Sequence, residues 1–198
     1  MEKIAARTIG HRRTVSFKVA QVDAITTKVD LLIVGMFEED AVNRPVGGAN
    51  QLDHALDGML GRLREGRIFM GMAGESLMLT TPPSAIQARS LLLVGMGSDL
   101  SQHYAAVGRA AELAMRAALL MRARSVACFL TWLERDIPSE MIESCAATMM
   151  RGALQAIDEL SDDSDMPVLN WIFDIRDDSA SRTEAALSMA LASAAEAI

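Results

Sequence analysis

The sequence predicts a layered α/β domain, and three observations predict it. Continuous apolar runs rich in branched residues occur at 30–36 (DLLIVGM), 89–95 (RSLLLVG) and 125–130 (SVACFL), the pattern of strands covered on both faces. Long helix-patterned segments alternate with them, which implies helices on both sides of one sheet. The chain has 198 residues, 51 % apolar and 23 % charged, enough to bury a core without disulfide or metal.

Each element follows from its own pattern. Residues 14–20 (TVSFKVA), after a charged lead-in, alternate apolar and polar like a half-buried strand. Residues 38–45 form a polar loop that Pro45 keeps from becoming helical. Leu52, Leu56, Met59, Leu60 and Leu63 lie on one face of a helix, with Asn50 as its expected N-cap and Gly66 as its stop. Residues 68–70 and 76–80 read as short strands around a turn at Gly71 and Gly74. A helix is expected over 101–122, with Val107, Ala111, Ala114, Met115, Ala118 and Leu119 inward. Pro138 and Ser139 open another through Ile157, with Met141, Ile142, Cys145, Met149 and Leu154 inward. Residues 158–165 (DELSDDSD) read as an acidic loop, 168–173 as a last strand, and 179–198 as an Ala-rich helix. The expected division is 1–178 as the domain and 179–198 as a helix packed on it or on a partner. The 14 methionines are expected mainly as flexible core filler.

Charge and composition exclude several functions. Nineteen basic against 26 acidic residues give a formal charge of −7, which argues against a nucleic-acid-binding face. No apolar run suits a signal peptide or a membrane span, so the expected compartment is the cytoplasm, with no membrane partner. Cys128 and Cys145 read as buried free thiols, inert as nucleophiles. Asp53 and Asp57 stand at i, i+4 beside His54, yet a lone histidine with two flexible carboxylates reads as a solvated helix face. His11 and His103 read as surface histidines. No catalytic residue, metal site or cofactor is expected.

Two glycine turns are the candidate ligand sites. Gly95, Gly97 and Ser98 follow a buried strand and precede a helix, where free amides favour an anion or phosphate. The dinucleotide fingerprint is incomplete, because Leu100 stands where a third glycine belongs. Gly47, Gly48 and Asn50 make a similar loop.

The order of segments resembles the N-terminal domain of the M17 leucyl aminopeptidases. The carrying stretches are DLLIVGMFEED, then LDHALDGMLGRLREGRIFMGMAGESLML, then RSLLLVGMGSDLSQHYAAVGRAAELAMRAA. They supply the family's core strand with an acidic loop, its Gly-x-x-Gly-Glu turn (Gly71, Gly74, Glu75) and its Val-Gly-x-Gly turn (Val94, Gly95, Gly97). Met72 and Ser98 stand where the family usually has lysines. The resemblance implies a macro-domain-like three-layer α/β/α fold with a mixed, mostly parallel sheet of about six strands. It also implies a missing half. The family's catalytic domain binds two metals through Lys, Asp and Glu, with an Asn-Thr-Asp-Ala-Glu-Gly-Arg segment unlike anything here, and the last lysine of this chain is Lys28.

The expected function is therefore a non-catalytic domain acting in assembly or regulation. Its partners would be a second copy, through the C-terminal helix with Leu187, Met189, Leu191 and Ile198, or a catalytic subunit of that family. One alternative is a small-molecule binder taking ADP-ribose or a nucleotide at Gly47–Asn50 and Gly95–Ser98. Another is part of a metal-dependent aminopeptidase.

Overall fold

The structure, a computed structural model, describes residues 5–38, 48–98, 104–130, 139–160, 165–175 and 180–195. Its strands are β1 (Arg7–Arg12), β2 (Val15–Ala20), β3 (Leu31–Phe37), β4 (Ser76–Leu79), β5 (Ser90–Gly97), β6 (Ser125–Phe129) and β7 (Leu169–Asp174). Its helices are α1 (Gly48–Ala55), α2 (Met59–Glu65), α3 (Tyr104–Leu120), α4 (Ser139–Leu160) and α5 (Ala180–Ala195). The strands form one sheet in the order β1-β2-β7-β6-β3-β5-β4. The five inner strands are mutually parallel, and β1 and β4 run antiparallel at the edges. None of the described helices is long and apolar enough to cross a membrane.

Strand alternation divides the apolar residues between two cores. Leu31 and Ile33 on β3, Leu92 and Val94 on β5, and Val126 and Cys128 on β6 face a large core shared with α3, α4 and α5. Leu32, Val34, Leu91, Leu93, Ala127 and Phe129 face the opposite way, onto Leu52, Leu56, Leu60, Phe69 and Ile86. Both faces are thus covered along β3, β5 and β6, which explains their uninterrupted apolar sequences. The large core also holds Phe17, Trp171 and Phe173; Phe17 stacks on Phe173 at 6.0 Å, and Trp171 meets Phe173 edge-on at 5.9 Å. Helices α3 and α4 cross at Gly108 and Gly152, where a Cβ on Gly152 would overlap the Gly108 carbonyl.

Five expectations need correcting. The lead-in at 7–12 is strand β1. A register shift between Thr8 and Gly10 disrupts its alternation, and Gly10 at φ +151 leaves room for the Leu191 side chain. Residues 68–70 form no strand; they lead instead into the Gly71 turn. The helix expected from Asn50 to Gly66 is two, broken where Asp57 and Gly58 adopt φ +55 and +70. Asn50 is the third residue of α1, not its cap, whereas Gly66 does end α2. Finally, α4 runs on to Leu160, so Asp158 is helical, and β7 starts at Leu169, leaving Val168 exposed. The inward residues named for α3 are all buried, as are Ile142, Cys145, Met149 and Leu154 on α4; Met141 is half-buried.

Candidate functional site

Gly95 and Gly97 sit at the carboxyl end of β5, beside the end of β3. Their surroundings are backbone. A Cβ on Gly95 would overlap the Met72 carbonyl, and one on Gly71 would lie 2.9 Å from the Phe37 carbonyl oxygen. The turn at 71–75 is thereby welded to the strand ends: the Gly95 amide donates to the Glu75 carbonyl at 2.8 Å, and the Gly97 amide to the Gly71 carbonyl at 2.9 Å. The Glu75 carboxylate closes the turn by accepting from the Met70 and Met72 amides at 2.8 and 3.1 Å. Glycine is required here for close approach and, at Gly71 and Gly97, for φ of +80 and +84. Two of the amides expected to cradle an anion are therefore already spent. Ser98 is exposed just beyond them.

The other half of that expected site is only partly described. Gly48 and Asn50 open α1, while Gly47 lies outside the described residues, as do Leu100, His103, Trp132, Pro138 and Ile198. Asp53 supports the local backbone, because its carboxylate accepts from the Leu60 amide at 2.8 Å and so caps α2 across the break. His54 and Asp57 are exposed, and His11 is exposed on β1. Among the described residues, no three His, Cys, Asp or Glu side chains cluster in a way that holds a metal. Cys128 is buried, and desolvation, helped by the charge of Asp174, pushes its thiol far above the ordinary range. Burial pushes Cys145 up as well.

A second surface emerges that sequence reasoning missed in part. Between α4 and α5 runs a groove of about 720 Å³, lined by Ala147, Leu154, Ala186, Met189 and Ala190 with Arg151 among its polar residues. A smaller depression of about 300 Å³ continues it toward Gly10 and His11 on β1, sharing Arg12, Leu154 and Ala194. Arg12 spans the junction, donating through two guanidinium nitrogens to Asp158 at 3.0 and 2.9 Å. Met189 is 70 % exposed, whereas Leu187 and Leu191 on the same helix are buried against their own domain. The Arg151 guanidinium has no hydrogen bond or ion pair among the described residues. Only the contribution of α5 was signalled in the sequence, by exposed and buried apolar residues on one Ala-rich helix. Arg12 and Asp158 gave no signal, because the first was read into a charged lead-in and the second into an acidic loop.

This sheet order, with five parallel strands between antiparallel edges and helices on both faces, defines a macrodomain-like three-layer α/β protein. The macrodomain of Oceanobacillus iheyensis solved with ADP matches with a TM-score of 0.66 at 15 % identity, each chain covered in full (100 %). A variant of tomato leucine aminopeptidase matches with a TM-score of 0.69 at 22 % identity, over 89 % of this chain and 35 % of that one. In sequence, residues 33–157 match the cytosol aminopeptidase family, N-terminal domain, and the chain belongs to that family through this domain. A probable cytosol aminopeptidase of Ralstonia pickettii is 33 % identical over 68 % of this chain and 26 % of its own length. The neutral chloroplastic leucine aminopeptidase of Solanum lycopersicum is 29 % identical over 76 % of this chain and 28 % of its own. The chain thus spans about a quarter of the length of the curated relatives it matches.

Proposed function

We propose that this chain is a non-catalytic assembly or regulatory domain, and that it associates with a second copy of itself through the α4–α5 groove. The observation that carries the reading is Met189, an exposed apolar knob beside an apolar groove on the same surface. A twofold contact is self-complementary, so each Met189 would enter the partner's groove. Arg151, which has no hydrogen bond or ion pair among the described residues, lines the same groove and is its charge left for a second copy to meet, because Glu143 and Asp158 are already paired with Arg182 and with Arg12 and Arg13. The lack of lysine beyond Lys28 and the buried thiols support a non-catalytic role. A catalytic subunit of the same family is the further partner that the family membership suggests, and the cytoplasm is the compartment that goes with it.

Size-exclusion chromatography with light scattering tests the reading. A concentration-dependent dimer is expected, converted to monomer by Met189→Asp and weakened by Arg151→Glu. A monomer at every concentration, or a dimer indifferent to both substitutions, overturns it.

The fold shared with an ADP-bound macrodomain favours a second reading, a nucleotide or ADP-ribose site around Gly48, Asn50 and Ser98. Calorimetry with ADP-ribose at millimolar concentration checks it, and an absence of heat removes it. Leucine-anilide hydrolysis that tracked with the purified chain in added manganese or zinc would instead revive a peptidase role.

A further inference from the structure

At the amino-terminal edge of the sheet, at the opposite end of β5 from Gly95 and Gly97, lies a basin of about 430 Å³ lined in part by Asp30, Arg89, Ser90, Arg122 and Arg124. Three arginines against one aspartate make a local excess of positive charge on a chain whose formal charge is −7. Asp30 organises the basin. Its Oδ2 accepts from the amides of Arg124 and Ser125 at 2.9 and 3.1 Å and from the Ser125 hydroxyl at 3.2 Å. Its Oδ1 lies 3.3 Å from a guanidinium nitrogen of Arg89, whose side chain is 83 % exposed. The carboxylate is therefore committed to holding the turn before β6 and one flank of Arg89.

Arg122 is tied to the Asp165 carbonyl. The guanidinium of Arg124 has no hydrogen bond or ion pair among the described residues. The carboxyl end of α3, at Leu120, favours basic residues immediately after it. That accounts for Arg122 and Arg124, but not for Arg89, which arrives from the connection between β4 and β5.

We infer that this basin binds a small polyvalent oxyanion through Arg89 and Arg124. A guanidinium fork matches two oxygens of a phosphoryl or carboxylate group and forms charge-assisted hydrogen bonds to both. The volume lies in the range of small-molecule sites. Two arginines from separate segments, one pre-oriented by Asp30, favour a ligand with more than one negative charge.

Isothermal calorimetry on the full chain, at low and matched ionic strength, tests the inference with inorganic phosphate, pyrophosphate and citrate as probes. Binding of pyrophosphate or citrate at one per chain is expected, with at least about a tenfold loss in the Arg89→Ala/Arg124→Ala double variant. Arg109→Ala removes another exposed arginine, on α3, and should leave the affinity unchanged. Preference for pyrophosphate over citrate assigns a phosphoryl ligand, and the reverse assigns a carboxylate. No heat with any probe overturns the site. So does binding that survives the double variant, or binding that Arg109→Ala weakens equally, because the anion would then be reading diffuse charge.

Discussion

The two halves of the sheet are built under different constraints. Across β3, β5 and β6, side chains pointing either way meet helices or loops. Across β2 and β7, only one face is covered by described helices. One row of residues shows the gradient: Lys18, Ile172, Ala127, Leu32 and Leu91 are successive register partners across five strands. Lys18 and Ile172 are half-buried, while Ala127, Leu32 and Leu91 are fully buried. A neighbouring row on the other face, Val19, Phe173, Cys128, Ile33 and Leu92, is buried from end to end. The same strand geometry therefore produces alternating sequences in one half and continuous apolar runs in the other. What covers the second face decides which pattern is written.

Four measurements test that contrast. Trp171→Ala should cost the most, about 3–5 kcal/mol by chemical denaturation, because the open half depends entirely on its single aromatic core. A smaller loss would mean that the half draws stability from its other face. Gly95→Ala should cost about 3 kcal/mol or more, since the added methyl meets the backbone of Met72 and Gly71 rather than a side chain that can swing aside. A tolerated alanine would show that the 71–75 turn is not seated on β5.

Third is the matched pair within one row. Leu32→Ala should cost about 2–4 kcal/mol and Ile172→Ala only about 1 kcal/mol. Equal losses would show that the face around Ile172 is covered in solution. The smallest effect is electrostatic and belongs to the covered half's helices. Glu159 accepts hydrogen bonds from Arg116 and from Gln155, which hold its carboxyl below the ordinary 4.5. A lowered value in the folded state stabilises the protein above the ordinary value and is lost as pH falls through the lowered one. Thermal melts should therefore decline below pH 4.5, and Glu159→Gln should remove a small part of that slope. Full exposure to solvent screening keeps the part small.

The same contrast explains what the sequence disclosed. Strands β3, β5 and β6 were legible because two-sided burial leaves no polar interruption. Strand β1 was not, because Arg7, Thr8 and His11 are exposed and the shift at Gly10 spoils the period. The break between α1 and α2 was hidden for a different reason. Leu56 and Leu60 keep helical spacing across it, and Asp57, a residue with a side chain, takes a left-handed conformation usually left to glycine. The glycines of the strand-end site were visible as glycines, but spacing alone does not reveal that their amides are occupied. The groove could be read only through α5, and the arginine basin not at all. Each is assembled from segments far apart in the chain, Arg12 with Asp158 in one case and Asp30 with Arg89 and Arg124 in the other.

The hairpin of β1 and β2 has one other sheet neighbour, β7. Phe17 thus waits for Trp171 to leave the ribosome, roughly 8–30 s at ordinary rates of synthesis. Through that interval Val15, Phe17 and Val19 have no sheet to join. The nascent chain is consequently most exposed to chaperones and to misassociation along β1 and β2, and the sheet closes only once β7 has been made.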